Sequence, residues 1–209
     1  MARKAISEAE IREALLREAT AAFLRDGIVA TEMKAVAAAA GLSRSTLYRY
    51  AISKNRLVFL VGARQLRLLV DEARERPLPQ SAAGWERLRH FCLSLIDVLA
   101  SRPDILRMMS EFDAIYTGPY PDIPEARDYV VAMRGLREIF LRMVRDGLED
   151  GSIAGVPDPR LFTAALANAI YGLAARFFPR EAHYLEEDSF GGRAIITEIV
   201  SRLLDGVRA

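Results

Sequence analysis

The chain has 209 residues, of which 51% are hydrophobic, and its net charge of +1 is near neutrality. This length can bury a full core in one domain or in two unequal ones. The charged N-terminus lacks the apolar region of a secretory signal, and no window approaches the roughly 20 apolar residues that a membrane helix needs, so we expect a cytoplasmic protein.

The spacing of apolar residues predicts helices along the chain and no strand. Before residue 75 the predicted helices cover residues 11–26, 33–40, 44–50 and 54–74. Gly27 and Gly41 end the first two, while Thr31, Ser43 and Ser53 provide N-caps for the next three. Three short helices therefore precede a long one.

The later helices are predicted at residues 85–100, 103–116, 125–148, 159–178 and 193–207. Pro103 and Pro159 stand where proline is favoured, in the first turn of a helix, and Asp158 is an N-cap. The segment REAHYLEEDSFGG, residues 180–192, has no clear periodicity and is expected to be irregular. The fold class is all-α, with about nine helices.

Charge is distributed unevenly along the chain. Residues 1–56 carry a net charge of +4 and the remainder carries −3. Between Glu32 and Asp71 there are seven basic residues and no acidic one. This pattern favours an anionic partner for the N-terminal part, although a solvated basic face without a partner has the same composition.

Two short helices joined by a turn with glycine form a helix-turn-helix arrangement, whose second helix can enter the major groove of DNA. Inward-facing positions in this unit are Val36, Ala37, Ala40, Leu42 and Leu47. The outer face of the second helix presents Arg44, Ser45, Thr46, Tyr48 and Arg49, which can donate hydrogen bonds to phosphates or base edges. Two core helices of a bundle would need an apolar outer face here.

Residues 23–57, FLRDGIVATEMKAVAAAAGLSRSTLYRYAISKNRL, resemble the N-terminal domain of the TetR/AcrR family of bacterial transcriptional regulators. The matching positions are Phe23, Gly27, Thr31, Met33, Val36, Ala37, Ala40, Gly41, Leu42, Ser43, Thr46, Leu47, Tyr48, Ser53, Lys54 and Leu57. The family commonly has an aromatic residue and a proline after the tyrosine motif, whereas this chain has Ala51 and Ile52. Losing a buried phenylalanine costs about 3–5 kcal/mol in an unadapted core, unless Ile52 or Tyr50 turns inward.

The resemblance implies a helix-turn-helix DNA-binding domain over residues 1–53 and an effector-binding and dimerisation domain over residues 54–209. Its DNA-binding candidates are Thr31, Lys34, Ser43, Arg44, Ser45, Thr46, Tyr48, Arg49, Tyr50 and Lys54. Thr31, Tyr48 and Lys54 are expected to contact phosphates. Ser43, Arg44, Ser45, Thr46 and Arg49 are candidate base readers, and Arg3 and Lys4 form either a flexible arm on DNA or a disordered terminus.

The resemblance also implies a homodimer formed by the last two helices. Residues 159–178 carry few charges and many small side chains, which would let a partner approach closely, although a helix buried within one subunit has the same pattern. An effector of hydrophobic or aromatic character is expected. Its candidate contacts are Phe91, Leu95, Met109, Phe112, Tyr116, Tyr129, Met133, Asn168 and Tyr171, which are equally typical of plain core. Asn168, in an apolar run, is a ligand contact, a dimer contact or a bond between helices.

No nucleophile with a base, no paired-carboxylate site, no phosphate loop and no metal-ligand spacing stands out in the sequence. We therefore expect a ligand-responsive DNA-binding regulator, most simply a repressor released by its effector, with no enzymatic activity, cofactor or metal. A helical dimer with a structural or enzymatic role is the alternative. The basic, acid-free face of the second short helix disfavours it.

The two kinds of DNA contact respond differently to substitution. Tyr48→Phe or Lys54→Ala should weaken binding to every operator variant and flatten its salt dependence, because a phosphate contact is lost. Arg44→Ala should in addition relax the preference between operator variants. Binding titrations over a range of salt concentrations measure both effects, and an Arg44→Ala protein with unchanged preference would remove Arg44 from the base readers.

Overall fold

The computed structural model describes residues 7–43, 46, 53–77 and 81–209, with the backbone alone for residues 187 and 188. These residues are built from helices and contain no β-strand. One isolated antiparallel bridge joins Ile153 and Arg208. The prediction of an all-α fold is confirmed.

The helices lie close to their predicted positions. They are α1 (Glu8–Asp26), α2 (Met33–Ala39), α3 (Lys54–Arg74), α4 (Gly84–Ser101), α5 (Pro103–Ile115), α6 (Pro124–Glu149), α7 (Pro159–Phe177), a 3-10 turn (Phe178–Arg180), α8 (Glu181–Asp188) and α9 (Gly192–Asp205). Helix α1 begins with a capping box, in which Ser7 accepts from the Glu10 amide and the Glu10 carboxylate accepts from the Ser7 amide. Asp158 caps α7 through the amides of Arg160 and Leu161, as predicted.

Two local predictions are wrong. The acidic segment expected to be irregular contains α8, which ends at Ser189 in a left-handed conformation. The Glu181 carboxylate accepts from the Gly192 amide and so joins the first turn of α8 to the start of α9. Thr31 is not an N-cap, because α2 starts after Glu32 and the Thr31 hydroxyl instead donates to the Gly27 carbonyl at 2.7 Å.

The chain forms two compact units that do not follow chain order. One contains Met1–Gln65 and Arg107–Val131, and the other contains Leu66–Leu106 and Ala132–Ala209. Helices α3, α5 and α6 each contribute residues to both units. The two units are defined by packing and not by function. The division at residue 53 into functional domains therefore stays a prediction.

Aromatic side chains from three helices meet in the core of the first unit. Phe59 on α3 is fully buried and contacts the rings of Phe112 and Tyr116 on α5, at 5.2 and 4.7 Å between centroids. The Tyr129 ring on α6 lies 4.8 Å from Phe112. Tyr120, in the loop between α5 and α6, completes this cluster of five rings, which we call the aromatic cluster. Helix α1 adds Ile11, Leu15, Ala19 and Phe23 to the core of the same unit.

The second unit is centred on α4, which packs with α7 and α9. The Trp85 indole is buried and donates to the Leu204 carbonyl at 2.9 Å, which joins the start of α4 to the end of α9. Gly84 lies against the backbone of α6, where a Cβ would stand 2.3 Å from the Gly147 Cα. Asp97 on α4 forms ion pairs with Arg76, just after α3, and with Arg193, in the first turn of α9.

An ion pair between Arg56 and Glu125 joins α3 to α6 within the first unit. The Arg56 Nε and Nη2 atoms donate to Glu125 Oε1 at 2.8 and 2.5 Å. The Glu125 side chain is only 8% exposed. Its burial by itself raises the pKa, but the hydrogen bonds and charge of Arg56, together with the backbone amide of Glu125 and the charge of Arg12, outweigh burial and leave the pKa of Glu125 below its ordinary value.

Glu125→Gln should lower the free energy of unfolding at pH 7 by about 2 kcal/mol, because Arg56 loses a charged partner in a partly buried place. The folded-state pKa of Glu125 is below the unfolded one, so this stabilisation is present above the ordinary glutamate pKa and disappears as the pH falls through the folded value. Urea unfolding at pH 7 and at about pH 4 should therefore show a difference that shrinks in acid. Asp128→Asn, an exposed carboxylate on the same helix, is the control. An equal loss at both pH values would contradict the assignment.

Candidate nucleic-acid interface

The turn after α2 has the backbone geometry that a helix-turn-helix requires. Gly41 adopts a φ of +69°, and its amide donates to the Ala38 carbonyl while the Leu42 amide donates to Ala37. These two bonds form a Schellman motif, which ends the helix and redirects the chain. Val36 and Ala37 are buried as predicted, whereas Ala40 is half-buried. The prediction that Gly41 ends this helix is therefore confirmed.

Ser43 forms hydrogen bonds with Thr46, three residues further along the chain. The Thr46 amide donates to both the carbonyl and the hydroxyl oxygen of Ser43, at 3.0 and 3.2 Å, which is the bonding of an N-cap. The two hydroxyl groups also lie 2.9 Å apart, within hydrogen-bond distance. Ser43 is exposed and Thr46 is half-buried. The N-cap prediction for Ser43 is confirmed.

Several candidates lie outside the described residues. These are Arg44, Ser45, Tyr48, Arg49 and Tyr50 among the DNA-binding candidates, together with Arg3, Lys4, Leu47, Ala51 and Ile52. Their predicted roles stay predictions.

The described DNA-binding candidates differ in how their polar atoms are used. Lys54, at the start of α3, donates from Nζ to the Val29 carbonyl at 2.9 Å and keeps two further N–H groups for other acceptors. Lys34 is 80% exposed and pairs with Glu32 at 2.7 Å, which lowers the pKa of that glutamate. Thr31 is buried, and its hydroxyl proton is given to Gly27. A phosphate therefore meets Lys54 and Lys34 more readily than the Thr31 hydroxyl.

The structure also reveals a residue that sequence reasoning missed. The Glu111 carboxylate on α5 accepts from the amides of Ile28 and Val29, at 2.5 and 2.8 Å. These amides belong to the loop between α1 and α2, which Lys54 also holds. No local signal could have found this contact, because the partners are more than 80 residues apart in sequence.

The effector candidates fall into both compact units. Phe112, Tyr116 and Tyr129 belong to the aromatic cluster, whose other members, Phe59 and Tyr120, were not among the candidates. Burial raises the pKa of the Tyr129 phenol, with contributions from Tyr120 and Asp113. The Tyr116 hydroxyl donates to the Asn55 side chain at 3.2 Å. Met109 is also buried in this unit.

The other candidates belong to the second unit. Phe91 packs edge-on against Phe140 at 5.1 Å, and Leu95 is buried on the same helix. Met133 and Tyr171 are half-buried. Asn168 is exposed on α7, and its side-chain amide donates to the Ala164 carbonyl at 2.8 Å. The nine candidates are therefore divided between the two compact units.

Helices α7 and α9 pack together and leave apolar side chains exposed. On α7 the exposed residues include Leu161, Ala165, Asn168 and Gly172, and on α9 they include Ile199 and Leu203. By length and composition alone, the stretch Pro159–Glu186 is apolar enough to cross a membrane, with a mean hydropathy of 1.4 over its most apolar window. The expectation that no segment approaches this limit is therefore wrong. Only 33% of that window is buried within the chain, so much apolar surface faces outward.

Residues 15–61 match the family described as bacterial regulatory proteins, tetR family. The fold is similar to that of a TetR-family regulatory protein from Rhodococcus RHA1, with 18% identity, a TM-score of 0.66 and coverage of 97% of this chain and 98% of the other. It is also similar to the ketosteroid transcriptional regulator KstR2 of Mycobacterium tuberculosis, with 17% identity, a TM-score of 0.62 and coverage of 99% and 100%.

A further similar structure is FadR of Thermus thermophilus, a TetR-family transcriptional repressor in complex with lauroyl-CoA. It shares 26% identity and a TM-score of 0.61, over 92% of each chain. No curated protein sequence shows significant similarity to this chain.

Substitutions at Ser43 separate its role as a cap from its role at a DNA surface. Ser43→Ala should lower the free energy of unfolding by about 1 kcal/mol, because the Thr46 amide loses its side-chain acceptor. Ser43→Asp keeps an acceptor at the N-cap, so its stability should stay near that of the wild type, while the added negative charge should weaken binding to every DNA duplex. Urea unfolding and DNA titrations measure the two effects. Unchanged DNA affinity in Ser43→Asp would place Ser43 away from the phosphates.

Proposed function

We propose that this chain, a member of the TetR family by its N-terminal residues and its fold, is a cytoplasmic DNA-binding regulator that acts as a homodimer on a near-palindromic operator. The observation that carries the proposal is the turn between α2 and Ser43. Its left-handed glycine, its buried Val36 and Ala37 and the N-cap bonding of Ser43 support a helix-turn-helix at this position. The segment that surrounds this turn is rich in Lys and Arg residues and has no acidic residue between Glu32 and Asp71.

Electrostatics supports DNA as the anionic partner. Lys34, in the first turn of α2, is exposed to solvent. Lys54, at the start of α3, donates its ammonium to the Val29 carbonyl in the α1–α2 loop. Phosphate contacts of this kind set position and affinity, while base contacts set sequence preference. We assign base reading to Ser43, Arg44, Ser45, Thr46 and Arg49, a further phosphate contact to Tyr48, and a DNA contact to Tyr50.

The exposed faces of α7 and α9 support a two-fold dimer. Leu161 is 68% exposed and Leu203 is 42% exposed, on two helices that pack together. A second copy would cover both faces and bury this apolar area. Burial of apolar surface is the dominant favourable term in protein association. Asn168 lies on the same face of α7 as Leu161, where its amide is free to bond to the partner copy through its oxygen. Small neighbours, Ala165 and Gly172, would let the helices approach closely.

For the effector we propose a hydrophobic or aromatic molecule whose binding releases the operator. Two of the similar structures are described as a ketosteroid transcriptional regulator and as a transcriptional repressor in complex with lauroyl-CoA, and both descriptions name apolar small molecules. The aromatic cluster of this chain and the Phe91–Phe140 pair offer apolar surfaces of matching character. Such a molecule acts as a switch only if it binds the DNA-incompetent conformation more tightly.

The purified protein should select a near-palindromic site from a library of random duplexes. The two half-sites should be one helical turn of DNA or a multiple apart, with centres about 34–36 Å from each other for a single turn, because two-fold symmetry sets the spacing of the reading helices. Failure to enrich any duplex at low salt would reject the proposed function.

Leu203→Asp tests the dimer within the same experiment. A charge in the proposed interface should give a monomer in sedimentation and abolish selection of the palindrome. Leu68→Asp, which changes an exposed leucine on α3 in the same compact unit, is the matched control and should stay dimeric. A dimeric Leu203→Asp protein would move the interface elsewhere.

A further inference from the structure

The loop between α1 and α2 is held by a carboxylate from a distant part of the chain. Glu111 on α5 accepts from the amides of two consecutive residues, Ile28 at 2.5 Å and Val29 at 2.8 Å. Hydrogen bonds to an ionised acceptor are about twice as strong as neutral ones. Ile28 is buried, so its amide has no easy access to water when the carboxylate is absent.

The loop is shaped to receive this carboxylate. Gly27 adopts a φ of +88° and a ψ of +165°, a conformation that is nearly confined to glycine. A Cβ at this position would stand 2.8 Å from the Glu111 Oε2 atom. The backbone conformation therefore requires glycine, and a Cβ here would in addition push the Glu111 carboxylate away from the two amides.

Other hydrogen bonds connect the loop to residues of the predicted DNA surface. The Lys54 ammonium donates to the Val29 carbonyl, and the Thr31 hydroxyl donates to the Gly27 carbonyl. Helix α2 starts two residues after Thr31, at Met33. Hydrogen bonds thus join Glu111, the loop and the start of α3 within the first unit, and α2 follows the loop directly along the chain.

We propose that Glu111 is a positioning residue for DNA binding, which sets the α1–α2 loop and with it helix α2 and Lys54. This inference rests on the proposed DNA-binding function.

Glu111→Gln is the informative substitution. Glutamine has the size of glutamate but only one side-chain acceptor, and its NH₂ group would face a donor in the loop. DNA affinity for the selected duplex should fall about tenfold, because α2 is no longer held in its binding position. Hydrogen exchange of the Ile28 and Val29 amides should become faster in the protein without DNA.

Two controls separate positioning from charge and from stability. Asp128→Asn removes the same charge from an exposed place in the same unit, and should leave DNA affinity unchanged or slightly higher, since it removes repulsion from phosphates. Val144→Ala truncates a buried side chain of the second unit, and should lower the free energy of unfolding while leaving DNA affinity near the wild-type value. The expected loss in Glu111→Gln is opposite in sign to the effect of charge alone.

Two results would overturn the inference by itself. The first is a wild-type protein that selects DNA while Glu111→Gln binds the same duplex with equal or higher affinity. The second is unchanged hydrogen exchange at Ile28 and Val29 in Glu111→Gln, which would show that the carboxylate does not hold the loop. A wild-type protein that selects no duplex rejects the proposed function, and the positioning role for DNA falls with it.

Discussion

The burial of Phe59 is the packing interaction on which the rest of the first unit depends. This α3 side chain is fully enclosed by rings from α5, α6 and the loop between them. Short helices such as α2, with seven residues, have too little apolar surface to be stable alone in water. The residues of the N-terminal segment therefore share a core with residues 107–131, and the compact unit is discontinuous in sequence for that reason.

Because α3, α5 and α6 complete this core, they are also the helices that hold the segment proposed to bind DNA. Arg56 and Glu125 join α3 to α6 beside the aromatic cluster, and Glu111 joins α5 to the α1–α2 loop. Each of these contacts is directional, unlike ring packing, which tolerates small slides. A carboxylate at 2.5–2.8 Å from two amides loses most of its bonding over a displacement of about 1 Å, so it fixes a position that apolar packing alone leaves adjustable.

Much of the fold could be predicted because its determinants are local. Apolar periodicity gave the long helices, and the conformational freedom of glycine gave the ends of α1 and α2 at Gly27 and Gly41. The errors occurred where distant groups decide the outcome. Thr31 has the side chain of an N-cap, but the Gly27 carbonyl takes its hydroxyl, and α8 is joined to α9 by the Glu181 carboxylate. Glu111 and Glu125 carry no signal in the sequence, since an isolated carboxylate on a helix reads as a solvated charge.

The apolar helix α7 shows how burial decides between meanings that composition leaves open. Its sequence fits a membrane helix, a core helix and a helix of an oligomer interface equally well. A core helix of one subunit would be buried around most of its surface, yet Leu161, Ala165, Asn168 and Gly172 form an exposed face. A membrane helix would have no reason to place small residues and an amide on one side. The neighbouring helix α9 exposes Ile199 and Leu203 beside the charged pair of Arg202 with Glu198, which lipid would not favour. Apolar patches with a polar rim are the ordinary composition of a surface that a protein partner covers. The pairing of α7 with α9 therefore favours a second copy of the chain over lipid as the neighbour of this face.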